Sequence, residues 1–153
     1  MRKIDFNGFI NENYILNSIR ILILINEFKN KKSVLLDIDK IMLFDYYMKF
    51  PKSFETEITK QDFNDEYSYF HWQPNRDEYF KYINYLYSKG LIDKTLINNK
   101  YIYSINSLSE EILNSFNTNY YFKLKSVALE IKRKSSSITY KKLDQKIVIR
   151  YTI

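Results

Sequence analysis

The sequence predicts a mainly helical α+β fold in one domain, and three observations carry this prediction. Apolar residues recur at helical spacing along most of the 153 residues. One pair of β-rich segments, 91–97 and 100–105, lies around an Asn-Asn turn. We find no internal repeat, no Pro/Gly-rich linker and no low-complexity segment at which the chain would divide. We therefore expect residues 1–153 to form a single domain.

Two helices are predicted in the first third of the chain. The first starts at a cap on Asn11 or Asn13 and runs to about Phe28. Its Ile and Leu residues lie nearly all around the helix axis, so we expect it to be the central, buried helix. The second helix starts at a cap on Asp37 or Asp39 and ends before the first of the two prolines, because the residue before a proline disfavours helical backbone.

Residues 49–73 are predicted to form a long loop, with a short edge strand at 55–59 inside it. His71 and Trp72, the only histidine and the only tryptophan, lie next to each other near its end. A histidine that acts as a metal ligand or general base needs partners, and the chain has no second histidine and no cysteine to supply them. We interpret the pair as an aromatic plug that holds the loop on the core.

The segment 74–105 has the order helix, glycine, hairpin. Asn75 can cap the helix, and Gly90 ends it by adopting the left-handed conformation. The Asn98-Asn99 dipeptide tolerates the positive φ angles of a tight hairpin turn. This order is typical of the recognition helix and wing of a winged helix, so we predict a winged-helix-like core over residues 1–105.

Residues 106–153 are predicted to form a basic C-terminal extension of helices and a strand. Ser107 or Ser109 caps its first helix. A final helix is predicted over 120–134, although its β-branched and aromatic residues leave a strand open as an alternative. Residues 146–153 alternate in part between apolar and charged, which predicts a terminal strand.

Charge is segregated along the chain. Residues 1–99 carry 14 basic and 14 acidic residues, whereas residues 100–153 carry 10 basic and 4 acidic ones, so the net charge of +6 lies in the last third. Within that third, the basic residues are densest at Lys132, Arg133, Lys134, Lys141 and Lys142. We expect this cluster to contact either the DNA backbone or an acidic partner surface, and both alternatives stay open.

The predicted recognition helix favours a protein partner over DNA. A helix that reads the major groove exposes basic and amide side chains, and this helix does carry several. Its first turn, however, contains Asp77 and Glu78. These two acids would repel the DNA backbone at the end of the helix that approaches it.

The tyrosines of the same module indicate where a partner binds. The helix tyrosines Tyr82, Tyr85 and Tyr87 cannot all face the core. The tyrosines of the second strand, Tyr101 and Tyr103, share one face of that strand. Tyrosine is favoured in the cores of protein interfaces. The alternative is that an AT-rich codon composition places tyrosines on ordinary half-buried surfaces. The predicted protein interface consists of Arg76, Tyr82, Tyr85, Tyr101 and Tyr103.

The chain lacks the residue patterns of common catalytic sites. Two glycines in the whole chain give no phosphate-binding loop, and the absence of cysteine excludes thiolate metal sites and disulfides. Glu130 and Lys132 match the Glu-x-Lys element of magnesium-dependent nucleases, but that site also needs a carboxylate on a neighbouring strand. We interpret Glu130 as part of a helix surface and expect no enzyme activity, no metal and no cofactor.

The sequence also indicates a cytoplasmic protein without a membrane partner. The basic N-terminus is followed by polar and acidic residues instead of the apolar region of a signal peptide. The longest strongly apolar run, 21–25, is far shorter than the roughly 20 residues that span a bilayer. The absence of cysteine is typical of a reducing compartment.

Several short motifs of residues 6–105 occur in the same order in a known family. They are the buried helix 19–25, Leu36-Asp37-Ile38-Asp39-Lys40, Phe44-Asp45-Tyr46-Tyr47, Pro51, His71, Pro74, Asn75-Arg76, Glu78 and Lys89-Gly90-Leu91-Ile92. In these features the chain resembles the middle components of bacterial ABC-three-component systems, the small LmuC-like subunit of Lamassu-type antiphage defence. It departs from them at Asp77, where the family tends to have a small residue, and the last third carries no matching motif.

The resemblance implies a non-catalytic adaptor subunit. Family members lie between an SMC-like ABC ATPase and an effector, often a nuclease, and help to hold the effector inactive until foreign DNA is detected. The partners implied are therefore the ATPase and the effector. The alternative is a sequence-specific winged-helix DNA-binding transcriptional regulator with dimer symmetry. A neighbouring gene for an SMC-like ATPase favours the adaptor, and a divergent promoter favours the regulator.

Overall fold

A computed structural model of the chain describes residues 6–51 and 75–142, with side chains described from residue 13 onward. Five α-helices and one antiparallel hairpin lie wholly within this part of the chain. They are α1 (Phe6–Glu27), α2 (Ile38–Lys49), α3 (Arg76–Ser88), β1 (Ile92–Ile97), β2 (Lys100–Ile105), α4 (Ser107–Asn114) and α5 (Asn119–Lys134), followed by a 3₁₀ turn (Ser135–Ser137). Residues 140–142, at the end of the described part, are also helical. The predicted mainly helical α+β class is confirmed.

Helix α1 is the centre of the fold, as predicted. It contacts each of the other four α-helices and strand β2. Residues 21–25 are therefore buried on every side of the helix, whereas Ile15 and Leu16 remain exposed one to two turns earlier. The predicted start of α1 is wrong, because the helix already begins at Phe6. Asparagine costs a helix interior well under about 1 kcal/mol, so Asn11 and Asn13 continue the helix instead of capping it.

The predicted caps of α2 and α3 are confirmed. The Asp37 carboxylate accepts a hydrogen bond of 2.9 Å from the backbone N–H of Lys40, which makes Asp37, and not Asp39, the cap of α2. The Asn75 side chain likewise accepts a 3.2 Å hydrogen bond from the N–H of Glu78. Both caps satisfy N–H groups that the first helical turn leaves without partners.

The hairpin forms with the predicted tight turn. Gly90 follows α3 with a φ of 71°, and Asn98 and Asn99 adopt φ angles of 51° and 64°. This two-residue turn pairs Ile97 with Lys100 and sets the register of the whole ladder. The N–H of Tyr103 donates a 2.9 Å hydrogen bond to the carbonyl of Leu36, so β2 lies between β1 and the segment that joins α1 to α2.

The C-terminal helices correct one prediction and decide another. Asn106 caps α4, and not Ser107 or Ser109, because the Asn106 amide accepts from the N–H of Ser109 while the Ser109 hydroxyl accepts from the N–H of Asn106. The alternative of a strand over 120–134 is excluded, because this segment is helical and caps on Thr118. Its buried residues recur at helical spacing: Tyr121, Leu124, Ala128 and Ile131.

Three predictions fall on residues outside the described part of the chain. They are the loop strand at 55–59, the His71–Trp72 plug and the terminal strand at 146–153. They stay predictions.

A buried ion pair joins the three N-terminal helices. Asp45 of α2 is fully buried and receives two hydrogen bonds from the guanidinium of Arg20 in α1, at 2.7 and 2.9 Å. The hydroxyl of Tyr79 in α3 donates a third, at 2.6 Å. Burial, together with the negative charge of Asp45, raises the pKa of Tyr79 far above its usual value, so its proton stays available for this bond.

We expect Asp45→Ala to destabilise the protein by about 3–5 kcal/mol, because it leaves the largely buried charge of Arg20 without its carboxylate partner. Tyr79→Phe removes a single hydrogen bond to a charged group and should cost about 1.5–3 kcal/mol. Urea unfolding followed by circular dichroism measures both changes. Equal losses for the two variants would contradict the central role given to the ion pair.

Candidate interaction surfaces

Tyr82 belongs to the core and not to the outer surface. Its side chain is 6% exposed, so the expectation that it faces outward is wrong. Its ring makes edge contacts with those of Tyr14 and Tyr79, at centroid distances of 5.3 and 5.8 Å. Its hydroxyl donates to the Glu78 carboxylate at 2.5 Å and accepts from the amide of Asn17 at 3.2 Å. Burial and the Glu78 hydrogen bond raise the pKa of Tyr82.

Tyr101 and Tyr103 share a strand face, but the core covers only one of them. Tyr103 is 4% exposed because it lies at the base of the hairpin, where β2 runs beside Leu36. Tyr101 is two residues nearer the turn, beyond the edge of the core, and is 50% exposed. The expectation that Tyr103 is available at the surface is therefore wrong, whereas Tyr101 is accessible and its role in an interface stays a prediction.

Tyr85 and Arg76 occupy intermediate positions. Tyr85 is half-buried, because its ring makes a 5.3 Å edge contact with that of Tyr14 on α1. The ammonium of Lys89 lies 5.8 Å from the centroid of the Tyr85 ring. Arg76 is exposed, but its guanidinium forms an ion pair with the Asp39 carboxylate and so connects the first turns of α3 and α2. Their role in an interface stays a prediction.

A compact group of exposed side chains lies where α3 meets the hairpin, and we call it the tip patch. It consists of Tyr87, Lys94, Leu96 and Tyr101. Leu96 is 61% exposed and pairs directly across the hairpin with Tyr101. The ammonium of Lys94 lies 4.2 Å from the centroid of Tyr101 and 5.5 Å from that of Tyr87, so it bridges two aromatic faces.

Sequence reasoning missed Lys94 and Leu96, although a signal for both was present. The Asn-Asn turn predicts the register of the hairpin, and that register puts Leu96 opposite Tyr101 and Lys94 opposite Tyr103. What could not be read from the sequence is how far the core extends under the hairpin. The limit of the core under the hairpin lies at a groove of about 190 Å³ beside the tip patch. Phe80 and Tyr101 form part of the lining of this groove.

The basic cluster is partly neutralised and partly anchored. Glu130 forms ion pairs with Arg133 at 3.5 Å and Lys134 at 3.1 Å along the surface of α5. The backbone carbonyl of Lys132 accepts a 2.6 Å hydrogen bond from the ammonium of Lys31 in the α1–α2 connection. Lys141 and Lys142 are exposed at the end of the described chain.

The predicted position of Glu130 on a helix surface is confirmed. The Glu-x-Lys element lies within helix α5, where Glu130 pairs with the basic residues Arg133 and Lys134 about one turn later. Within residues 6–51 and 75–142, no group of three histidine or carboxylate side chains could hold a metal ion. Of the helices in that same part of the chain, none has the length and apolar character to cross a bilayer.

Comparison with protein families shows a match over most of the chain. The family model for the ABC-three component (ABC-3C) system Middle Component 2 matches residues 11–152, which is nearly the whole chain. Neither a curated protein nor a solved structure matches the chain.

The burial of the tyrosines predicts two classes of variants. Tyr82→Ala and Tyr103→Ala should each lower the free energy of unfolding by about 3–5 kcal/mol, as expected for the loss of a buried aromatic side chain. Tyr87→Ala and Tyr101→Ala should each cost no more than about 1 kcal/mol, the scale of an exposed cation–π contact. Chemical denaturation of the four purified variants measures these differences, and a large loss for Tyr101→Ala would place that ring in the core after all.

Proposed function

This chain belongs to the Middle Component 2 family of ABC-three component systems, and we propose that it is a non-catalytic adaptor that bridges the ATPase and the effector of such a system. Membership of the family makes it a middle component that interacts with the other components. The bridging role goes further, and the tip patch is the observation that carries it. We also propose that the system is of the Lamassu type, on the resemblance of the motifs in residues 6–105.

The composition of the tip patch supports a protein partner. Two tyrosine rings and one leucine are exposed next to each other around a single lysine. Tyrosine is a frequent anchor residue in interfaces. Exposed clusters of apolar and aromatic side chains occur more often at binding sites than on the rest of a protein surface. A protein surface that binds the DNA backbone needs several cationic side chains, whereas the tip patch contains one, Lys94.

The arrangement of elements supports a winged-helix-like core over residues 1–105. The order α1, α2, α3, hairpin, together with the hydrogen bond from Tyr103 to Leu36, supports our interpretation of α3 as a recognition-type helix and of the hairpin as a wing. Asp77 and Glu78 are exposed in the first turn of α3. This favours protein binding, while a sequence-specific DNA-binding transcriptional regulator stays as the alternative.

A second surface, the basic last turn of α5, supports bridging. Helix α5 packs on α1 and α2, which supports a single domain, and its last turn carries basic residues that an acidic surface or DNA would attract. We propose that one partner is an SMC-like ATPase and the other an effector nuclease, and that the adaptor holds the effector inactive until the complex meets foreign DNA. We place this assembly in the cytoplasm, where such DNA enters.

We expect the double variant Tyr87→Ala, Tyr101→Ala to weaken binding to the ATPase or effector subunit by tenfold or more, because anchor residues contribute about 2 kcal/mol or more each. Co-expression with both subunits, followed by affinity purification and titration of the purified proteins, measures the loss. Tyr120→Ala with Phe122→Ala is the matched control, because both rings are at least half exposed on α5. Equal binding by the two double variants would move the interface away from the tip patch.

The basic cluster predicts how the assembled complex depends on salt. Each phosphate contact changes the slope of log K against log salt for DNA binding by about −0.9. The slope therefore reaches at most about −4.5 if phosphates are contacted by all five basic residues, Lys132, Arg133, Lys134, Lys141 and Lys142. Reversal of the three charges at 132–134 should then make the slope shallower by about 2.7. Reversal of Lys123 and Lys125, earlier on the same helix, is the control.

The same charge reversal separates the two partners of this cluster. A variant that assembles normally and keeps the full slope rules out a DNA contact for residues 132–134. A variant that no longer assembles shows that the cluster docks on an acidic surface of a partner subunit.

A further inference from the structure

Strand β1 forms the outer edge of the hairpin. In the described part of the chain the sheet has two strands, and the far side of β2 already faces Leu36 through the N–H of Tyr103. On β1, only Ile92 is buried, and the five residues from Asp93 to Ile97 are all exposed. Among the residues that the structure describes, none pairs with the outer edge of β1, and this edge is exposed over most of its length.

The register shows which backbone groups point outward from this edge. A two-residue turn closes on a hydrogen-bonded pair, here Ile97 and Lys100, and hydrogen-bonded pairs alternate with non-hydrogen-bonded ones along an antiparallel ladder. The N–H and C=O groups of Thr95 thus face β2, whereas those of Lys94 and Leu96 face away from it. The outward N–H of Tyr103, which lies opposite Lys94, agrees with this alternation.

The positive charge at the outer edge of β1 indicates the chemistry of a partner segment that could bind there. Among the described residues, no carboxylate lies within ion-pair distance of Lys94, whose ammonium is held only by the faces of Tyr87 and Tyr101. Lys89 lies nearby in sequence over the ring of Tyr85. An incoming strand with a carboxylate opposite Lys94 would supply the missing counter-charge at a place that is already aromatic and apolar.

We propose that the outer edge of β1 is a strand-pairing site, where an extended, acidic segment of a partner subunit adds a third strand to the hairpin. The backbone groups of Lys94 and Leu96 would supply the hydrogen bonds, and the tip patch would receive alternate side chains of the segment. A second copy of this chain fits less well, because each copy carries a net charge of +6 and brings its own Lys94. This inference rests on the proposed adaptor function and names its mode of recognition.

The test uses proline to remove one outward N–H. Leu96→Pro removes the N–H that faces the partner but leaves the ladder to β2 intact, and proline is tolerated at such edge positions. Leu96→Ala removes a mainly exposed side chain and keeps the N–H. Thr95→Pro breaks a bond within the hairpin and shows the effect of damaging the fold. Each full-length variant is titrated against the ATPase subunit and against the effector subunit of the same system.

We expect Leu96→Pro to bind one of the two subunits at least tenfold more weakly than Leu96→Ala, with a melting temperature close to that of Leu96→Ala. Hydrogen exchange supplies an independent readout. The amides of Lys94 and Leu96 should exchange fast in the isolated chain and slowly in the complex, whereas that of Thr95 should be protected in both.

Four outcomes would overturn the proposal. Equal binding by Leu96→Pro and Leu96→Ala removes the backbone contact while leaving the adaptor function in place. Slow exchange at Lys94 and Leu96 in the isolated chain means that the edge is already paired within it. Dimerisation of the isolated chain that Leu96→Pro abolishes makes a second copy the occupant. Absence of binding by the unmodified chain to either subunit overturns the adaptor function and this inference with it.

Discussion

The buried contact between Arg20 and Asp45 is the constraint on which the arrangement of the N-terminal helices depends. Removing both charges from water is costly, and the geometry offsets this cost only because the two side chains meet through two hydrogen bonds and Tyr79 adds a third. Two parallel hydrogen bonds between a carboxylate and a planar guanidinium form in only a narrow range of orientations. The pair therefore restricts how α1 and α2 can lie against each other. Since Tyr79 belongs to α3, the contact also attaches to α1 and α2 the helix from which the hairpin continues.

The tyrosines of α3 and the hairpin have two different roles. Tyr79 and Tyr82 are buried, and their hydroxyls donate to carboxylates, which lets a polar group enter the core without a lost hydrogen bond. Tyr87 and Tyr101 lie farther out, where their rings hold the ammonium of Lys94. Composition alone does not separate these groups, because the same residue type serves both. Their burial does, because neighbouring elements cover the rings of Tyr79 and Tyr82 and leave half of the surface of Tyr87 and Tyr101 exposed.

The C-terminal extension is connected to the same centre by polar contacts at its end. Lys31 donates to the carbonyl of Lys132 and, at 2.7 Å, to the hydroxyl of Ser135, while the hydroxyl of Tyr140 donates to the carbonyl of Asp39. The two bonds from Lys31 hold the basic end of α5 against the connection between α1 and α2, and the bond from Tyr140 reaches the first turn of α2. The tip patch and the basic end of α5 are thus attached to one core in a defined relation, which the proposed bridging of two partners requires.

Local chemistry allowed much of this structure to be predicted from sequence. The caps on Asp37 and Asn75, the glycine after α3 and the Asn-Asn turn follow from the conformations that those side chains favour, and the buried centre of α1 follows from its all-round apolar pattern. The start of α1 and the cap of α4 were mistaken because several asparagines and serines compete locally for the same role, and their preferences differ by less than the packing energy. The division between buried Tyr82 and Tyr103 and exposed Tyr87 and Tyr101 was decided by tertiary structure alone, since it depends on which neighbouring helices cover each ring. The sequence by itself determined which elements form, because those choices involve residues a few positions apart, and the tertiary structure decided which of their faces remain available to a partner.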